Sequence, residues 1–114
     1  MLLRELKKAT RKFVKMRPTT VYKRAGDGCS YTQGECSDGT FGCLFGQLNA
    51  ELELDLCLDD DEARINEVLA AYYNRSSADL PLRWFSMVQK MQDLGFPWAE
   101  CVEEADKFIK WMRK

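Results

Sequence analysis

The chain has 114 residues, enough for one domain with a modest core. Its composition, 46% apolar and 31% charged, excludes global disorder, and no apolar run approaches the roughly 20 residues of a membrane span. Net charge is −1 and histidine is absent, which removes the commonest general base, the usual metal ligand and the Ser/His and Cys/His dyads together.

The first element expected is a helix over residues 2–16. Leu3, Leu6, Phe13 and Met16 fall near one face, with Ala9, Thr10 and Val14 beside them, and basic side chains take the other. Pro18 ends it. Charge is concentrated here. Residues 1–24 hold nine basic side chains against Glu5 alone, about +8, while the remaining ninety residues hold eight basic and seventeen acidic ones, about −9. Such asymmetry bears on partners or on docking within the chain.

"TTVYK", residues 19–23, is β-branched and aromatic and predicts a short strand, and "CSYT", residues 29–32, a second. "QGE" and "SDGT" are turn signals, and either could tip a hairpin. From Phe41 or Gly42 the pattern turns helical through Leu44, Phe45, Leu48 and Leu52. "LELDLCL" then alternates, with Leu52, Leu54, Leu56 and Leu58 on one side. "DDDEARINEVLAAYY" predicts a third helix with a capping-box start at Asp59 and Glu62 and an inner face of Ile65, Val68, Leu69 and Tyr72. A fourth runs from Pro81 to Leu94 with Gly95 as its C-cap, lined inside by Phe85, Val88 and Met91 and flanked by Trp84 and Leu94. A fifth starts at Pro97 with the stripe Trp98, Cys101, Val102, Ala105, Phe108, Ile109 and Met112. The fold class is therefore α+β, mostly helical, with about five helices and a small two- or three-stranded antiparallel sheet. The organisation is one domain over 1–114: a basic amphipathic helix at 1–17, strands and turns at 19–40, and a helical portion at 42–113.

Three cysteines, Cys29, Cys36 and Cys43, recur seven residues apart. Structural zinc sites pair their thiolates at spacings of two to four residues, so this spacing, without histidine and with Cys57 the sole further candidate nearby, argues against a metal. Without an evident leader segment a cytoplasmic setting is expected, where thiols stay reduced. A Cys29–Cys36 bridge across a hairpin is the disulfide alternative. Cys43 follows Gly42 at the expected helix start, where the dipole favours a thiolate, yet no activating base adjoins it. The same turn offers the backbone N–H groups of Gly42, Cys43 and Leu44 to an anion, helped if Arg17, Lys23 or Arg24 converge there. It lacks the Gly-Lys-Ser/Thr ending of a P-loop, and turn geometry and close packing of Gly46 against a neighbouring helix explain the glycines better than a phosphate motif does. Asp59 to Glu62 lack the alternation and glycine of a calcium loop. Gln89, Gln92 and Asp93 lie within one helical turn of each other and suit a buried polar network better than a binding patch.

"CSY…DGTFGCLFGQL" and "MVQKMQDLGFPWAECVEEA" together resemble a set of small uncharacterised proteins of actinobacteria and their phages. These carry a Cys-x-Tyr…Gly-Cys-Leu-Phe-Gly motif and a C-terminal Gln-Asp-x-Gly-x-x-Trp segment. The matching positions are Cys29, Tyr31, Gly42, Cys43, Gly46, Gln89, Gln92, Asp93, Gly95 and Trp98, within residues 29–105. The inserted "GECSD" departs from the shorter linker of that set, and the basic helix lies outside the match. The set carries no assigned enzyme activity, so the resemblance implies a phage or accessory-gene origin more than a mechanism.

The expectation that follows is a small non-enzymatic binding protein without cofactor. It would engage a bacterial host protein or protein–nucleic-acid complex, such as a defence or nucleic-acid-processing assembly, through Arg4, Lys7, Lys8, Arg11, Lys12 and Lys15, and inhibit or modulate it. Nucleic acid is a possible contact of this helix, although no aromatic interleaving supports sequence readout, and a membrane is not expected. Docking of the helix on the chain's own acidic segments, "LDDDE" and "AECVEEAD", is the competing role for its charge. A nucleotide- or anion-sequestering protein built on residues 42–46 and a thiol redox protein are the alternatives.

Overall fold

The computed structural model describes residues 1–23, 30–56, 58 and 63–113. Five helices follow one another: α1 (Leu3–Met16), α2 (Leu44–Glu51), α3 (Ile65–Tyr73), α4 (Leu80–Asp93) and α5 (Trp98–Met112). Helices α4 and α5 form an antiparallel hairpin and the framework of the molecule; α2 and α3 pack on α4, and α1 packs on α5.

The turn of that hairpin follows from Gly95. With φ +94° it adopts the left-handed conformation, and the N–H groups of Gly95 and Phe96 donate to the carbonyls of Gln92 and Met91. The α5 stripe is buried as its period predicts, at Trp98, Cys101, Val102, Ala105 and Ile109. In α1, Leu3, Leu6, Thr10, Phe13 and Val14 are buried, and Thr10 donates to the Leu6 carbonyl at 2.8 Å instead of meeting water. Three expected core positions instead face solvent: Met16, Tyr72 and Leu94. The α4 face has turned accordingly, burying Gln89 and Gln92 beside Leu82, Trp84, Phe85 and Val88.

The expected small sheet is not formed. Among the described residues there is no strand, and the architecture is helical, with two isolated antiparallel bridges, Tyr22 to Cys36 and Glu35 to Phe41. Pairing begins at Val21–Lys23 but cannot extend, because Gly34, Gly39 and Gly42 all have φ near +90° and reverse the chain within nine residues. Side chains take over the backbone partners that a ladder would have used. Ser37 Oγ accepts from the Val21 N–H, Asp38 from the Thr40 N–H, and the buried Tyr22 hydroxyl from the Ser30 N–H. The "CSYT" strand is likewise not formed in its described part, Ser30–Thr32. Leu52, Leu54, Leu56 and Leu58 do turn inward against the core, without strand pairing.

Among the described residues no helix carries a local side-chain N-cap. The capping residues expected for α3, Asp59 and Glu62, lie outside the described residues. Orphan donors at three helix starts are met from elsewhere in the chain. Gln92 Oε1 accepts the Leu44 N–H of α2 at 2.7 Å, and Gln89 Oε1 accepts the Ile65 N–H of α3 at 2.9 Å. The Trp98 and Ala99 N–H groups of α5 donate to the carbonyls of Thr20 and Pro18. One helix, α4, thereby sets the positions of two others.

Candidate functional site

The cationic residues of α1 divide between two sides of the helix. At the division stands a bridge to α5. Both guanidinium nitrogens of Arg11 donate to Asp106, at 2.6 and 2.8 Å, and the Trp84 indole N–H donates to the same carboxylate at 2.9 Å. Lys7 and Arg11 lie over the Trp84 ring, 5.0 and 5.2 Å from its centroid. Burial pushes the Asp106 carboxyl up, but the Arg11 guanidinium and the indole N–H outweigh it and hold the carboxyl below its usual range. Part of the "AECVEEAD" segment is thus the counter-charge of α1. The acids of the other expected counter-charge segment, "LDDDE", are Asp59–Glu62 and lie outside the described residues.

Lys8, Arg11, Lys12 and Lys15 line one groove of about 680 Å³ between α1 and the start of α5, over a floor of Val14, Pro18, Ala99 and Val102. Their spacing of three, four and seven residues puts them on one helical face. Lys8, Lys12 and Lys15 are exposed and make no ion pair among the described residues. Arg4 and Lys7, grouped with them in the sequence reading, belong elsewhere. They line a smaller pocket at the other end of α1, with Arg75 and Arg113.

The Gly-rich turn proves to be closed. The Gly42 N–H donates to Gly34 O, the Cys43 N–H to Ser30 O at 3.0 Å, and the Leu44 N–H to Gln92. All three donors proposed for an anion are engaged inside the protein, and Cys43 and Leu44 are fully buried. Of the expected converging cations, Arg17 does arrive. It donates to Gln47 Oε1 at 2.6 Å and stacks on Phe13, beside a shallow cavity of about 570 Å³ that Thr40, Phe41 and Gly46 also line. Lys23 is exposed and does not line that cavity. Arg24 lies outside the described residues.

The glycines of this turn are there for backbone packing. A Cβ on Gly46 would stand 1.7 Å from the Tyr31 carbonyl oxygen, and one on Gly42, at φ +93°, 2.5 Å from the same atom. The neighbour of Gly46 is therefore this peptide and not another helix. Tyr31 is itself tied down. Its hydroxyl donates to the Ala63 carbonyl at 2.6 Å and accepts from Gln89 Nε2 at 3.0 Å. Gln92 Nε2 donates to Asp93 at 2.8 Å; Gln89 and Gln92 are buried and make internal connections, while Asp93 is only partly buried and lines a surface pocket together with Gln89.

Cys36, Cys43 and Cys101 are buried free thiols. The expected Cys29–Cys36 bridge involves Cys29, which lies outside the described residues. Burial raises the Cys36 thiol, and raises Cys101 to about 12, away from the thiolate that nucleophilic or redox chemistry needs. Cys29 and Cys57 lie outside the described residues. Among the described residues no three His, Cys, Asp or Glu side chains come together to hold a metal, and no helix is long and apolar enough to cross a membrane.

Fold and site together define a small helical protein, with five helices among the described residues and a cationic, apolar-floored groove along the first. No protein-family profile, curated protein or solved structure matches this chain.

Proposed function

We propose that this is a non-enzymatic binding protein that holds an acidic macromolecular partner in the groove between α1 and α5. One observation carries the reading: Lys8, Lys12 and Lys15 ring an apolar floor with no ion pair among the described residues, while Arg11 beside them is committed to Asp106. Cations left over after internal pairing keep a positive potential that steers an acidic surface and fixes its register. The floor of Val14, Pro18, Ala99 and Val102 favours a protein segment that presents both carboxylates and apolar side chains. A nucleic-acid backbone would use the charges and leave the floor idle. The absence of histidine and the burial of the described thiols support a role without catalysis. The finer expectation, a host defence or nucleic-acid-processing complex as partner, rests on the resemblance to phage and actinobacterial proteins.

The test compares the protein with a Lys8→Glu/Lys12→Glu/Lys15→Glu variant in affinity capture from a bacterial lysate, with and without nuclease. These side chains are exposed, so the variant should melt close to the parent. A protein that the parent retains after nuclease treatment, and that the variant loses, supports the reading. A partner lost on nuclease treatment moves it to nucleic acid, where binding would also fall steeply with salt. Equal capture by both proteins removes the groove as the interface.

A further inference from the structure

We propose that the pocket at the N-terminal end of α1 is a separate binding site for a small organic phosphate monoester. Four cations from three parts of the chain meet there: Arg4 and Lys7 of α1, Arg75 after α3, and Arg113 after α5. Among the described residues no carboxylate lines the pocket. Asp79 takes one edge of Arg75 at 3.1 Å, and Asp106 is occupied by Arg11 and Trp84, so neither neutralises Arg4 or Arg113. Lys7 records the crowding: partial burial first, then Arg11 and Arg113, lower its pKa, with Asp106 alone opposing them. Like charges only partly countered, by Asp79 on Arg75 and by Asp106 near Lys7, repel one another, and a bound anion relieves that repulsion.

The geometry narrows the anion. Three guanidiniums present planar forks that match phosphate oxygens in pairs. A phosphate monoester carries about −1.5 to −2 at neutral pH and answers several cations, where a monocarboxylate answers one. The walls between the charges are Leu3, Leu80, Pro81 and Ile109, so the ester group should be apolar. A volume of about 240 Å³ confines it to something of the size of a single ring. None of these residues lines the α1–α5 groove, so this site stands or falls independently of the macromolecular partner.

Phenyl phosphate is the probe, titrated by calorimetry and by backbone amide NMR, with inorganic phosphate and phenol as comparators. Binding of phenyl phosphate with shifts confined to residues 3–7, 75–85 and 109–113 is expected. Inorganic phosphate should bind at least tenfold more weakly, and phenol not detectably. Arg4→Gln/Arg113→Gln, at two exposed positions, should weaken phenyl phosphate at least tenfold, and Lys12→Gln, in the other groove, should leave it unchanged. Absence of binding at 10 mM phenyl phosphate, or undiminished binding by the double variant, overturns the proposal. Inorganic phosphate binding as tightly as phenyl phosphate overturns its organic part.

Discussion

Replacing Gln92 by Leu isolates the long-range capping of α2. Gln92 is fully buried, and its Oε1 is the acceptor of the Leu44 N–H at 2.7 Å. Leucine has nearly the same volume, so the change removes the hydrogen bond while leaving little cavity. The Leu44 donor then sits unsatisfied in the core, since Leu44 is itself fully buried and water has no path to it. An orphaned buried donor costs roughly 1–3 kcal/mol, and a lost N-cap about 1 kcal/mol by itself. The two describe the same bond and are not added, so the expected loss is about 2 kcal/mol. At about 4 °C per kcal/mol for a domain of this size, Tm should fall by roughly 8 °C. Asp93, which accepts from Gln92 Nε2, is half-exposed and can turn to water, so its contribution to the loss is small. Urea unfolding is the assay. The midpoint should drop while the m value holds, because the surface exposed on unfolding is unchanged. A loss below about 0.5 kcal/mol, the scale of ordinary surface substitutions, would refute capping of α2 from α4.

Gly46→Ala should cost at least about 3 kcal/mol, the upper end of overpacking penalties, because the obstacle is the Tyr31 peptide and not a flexible side chain; a thermal melt by circular dichroism reads it. Asp106→Asn should change the acid limb of stability. The folded carboxyl lies below the ordinary value of 3.8, so its stabilising share is complete above the unfolded pKa and disappears as pH falls through the lower folded one. Chemical unfolding at pH 5 and pH 3 should therefore separate the two proteins more at pH 5; an equal gap would mean that Asp106 is not held by Arg11. The separation should be modest, since both side chains of the bridge are 42% exposed. Alkylation mapped by mass spectrometry should leave Cys36, Cys43 and Cys101 unmodified in the native protein and label all three in urea. Fast native labelling of Cys43 would reopen the thiol alternative.

Periodicity accounts for what was legible in the residues. A helix facing one core repeats its apolar positions every three or four residues, and the α1 and α5 stripes need no knowledge of the rest of the chain. Gly95 could be placed as a stop for the same reason, because a left-handed residue at a helix end is a local requirement. The division of α1 into a basic and an apolar face was equally readable, and so was a buried polar role for Gln89 and Gln92.

Short β-branched runs misled, because a strand exists only if a partner ladder continues. Three left-handed glycines and the side-chain acceptors around them end each pairing after one bridge. The Gly42–Leu44 turn reads as a weak candidate anion site, but its N–H groups go to Gly34, Ser30 and Gln92, the last 48 residues away. No local pattern reveals such a partner. The same holds for the cations. Composition established that the first helix is strongly basic, and hydropathy established which face it buries. Only the tertiary packing decided that Arg11 pairs with Asp106, that Lys8, Lys12 and Lys15 line one groove, and that Arg4 and Lys7 meet Arg75 and Arg113 in another pocket. Periodicity is a property of neighbours along the chain, whereas charge pairing and capping depend on distances in space that the fold alone creates.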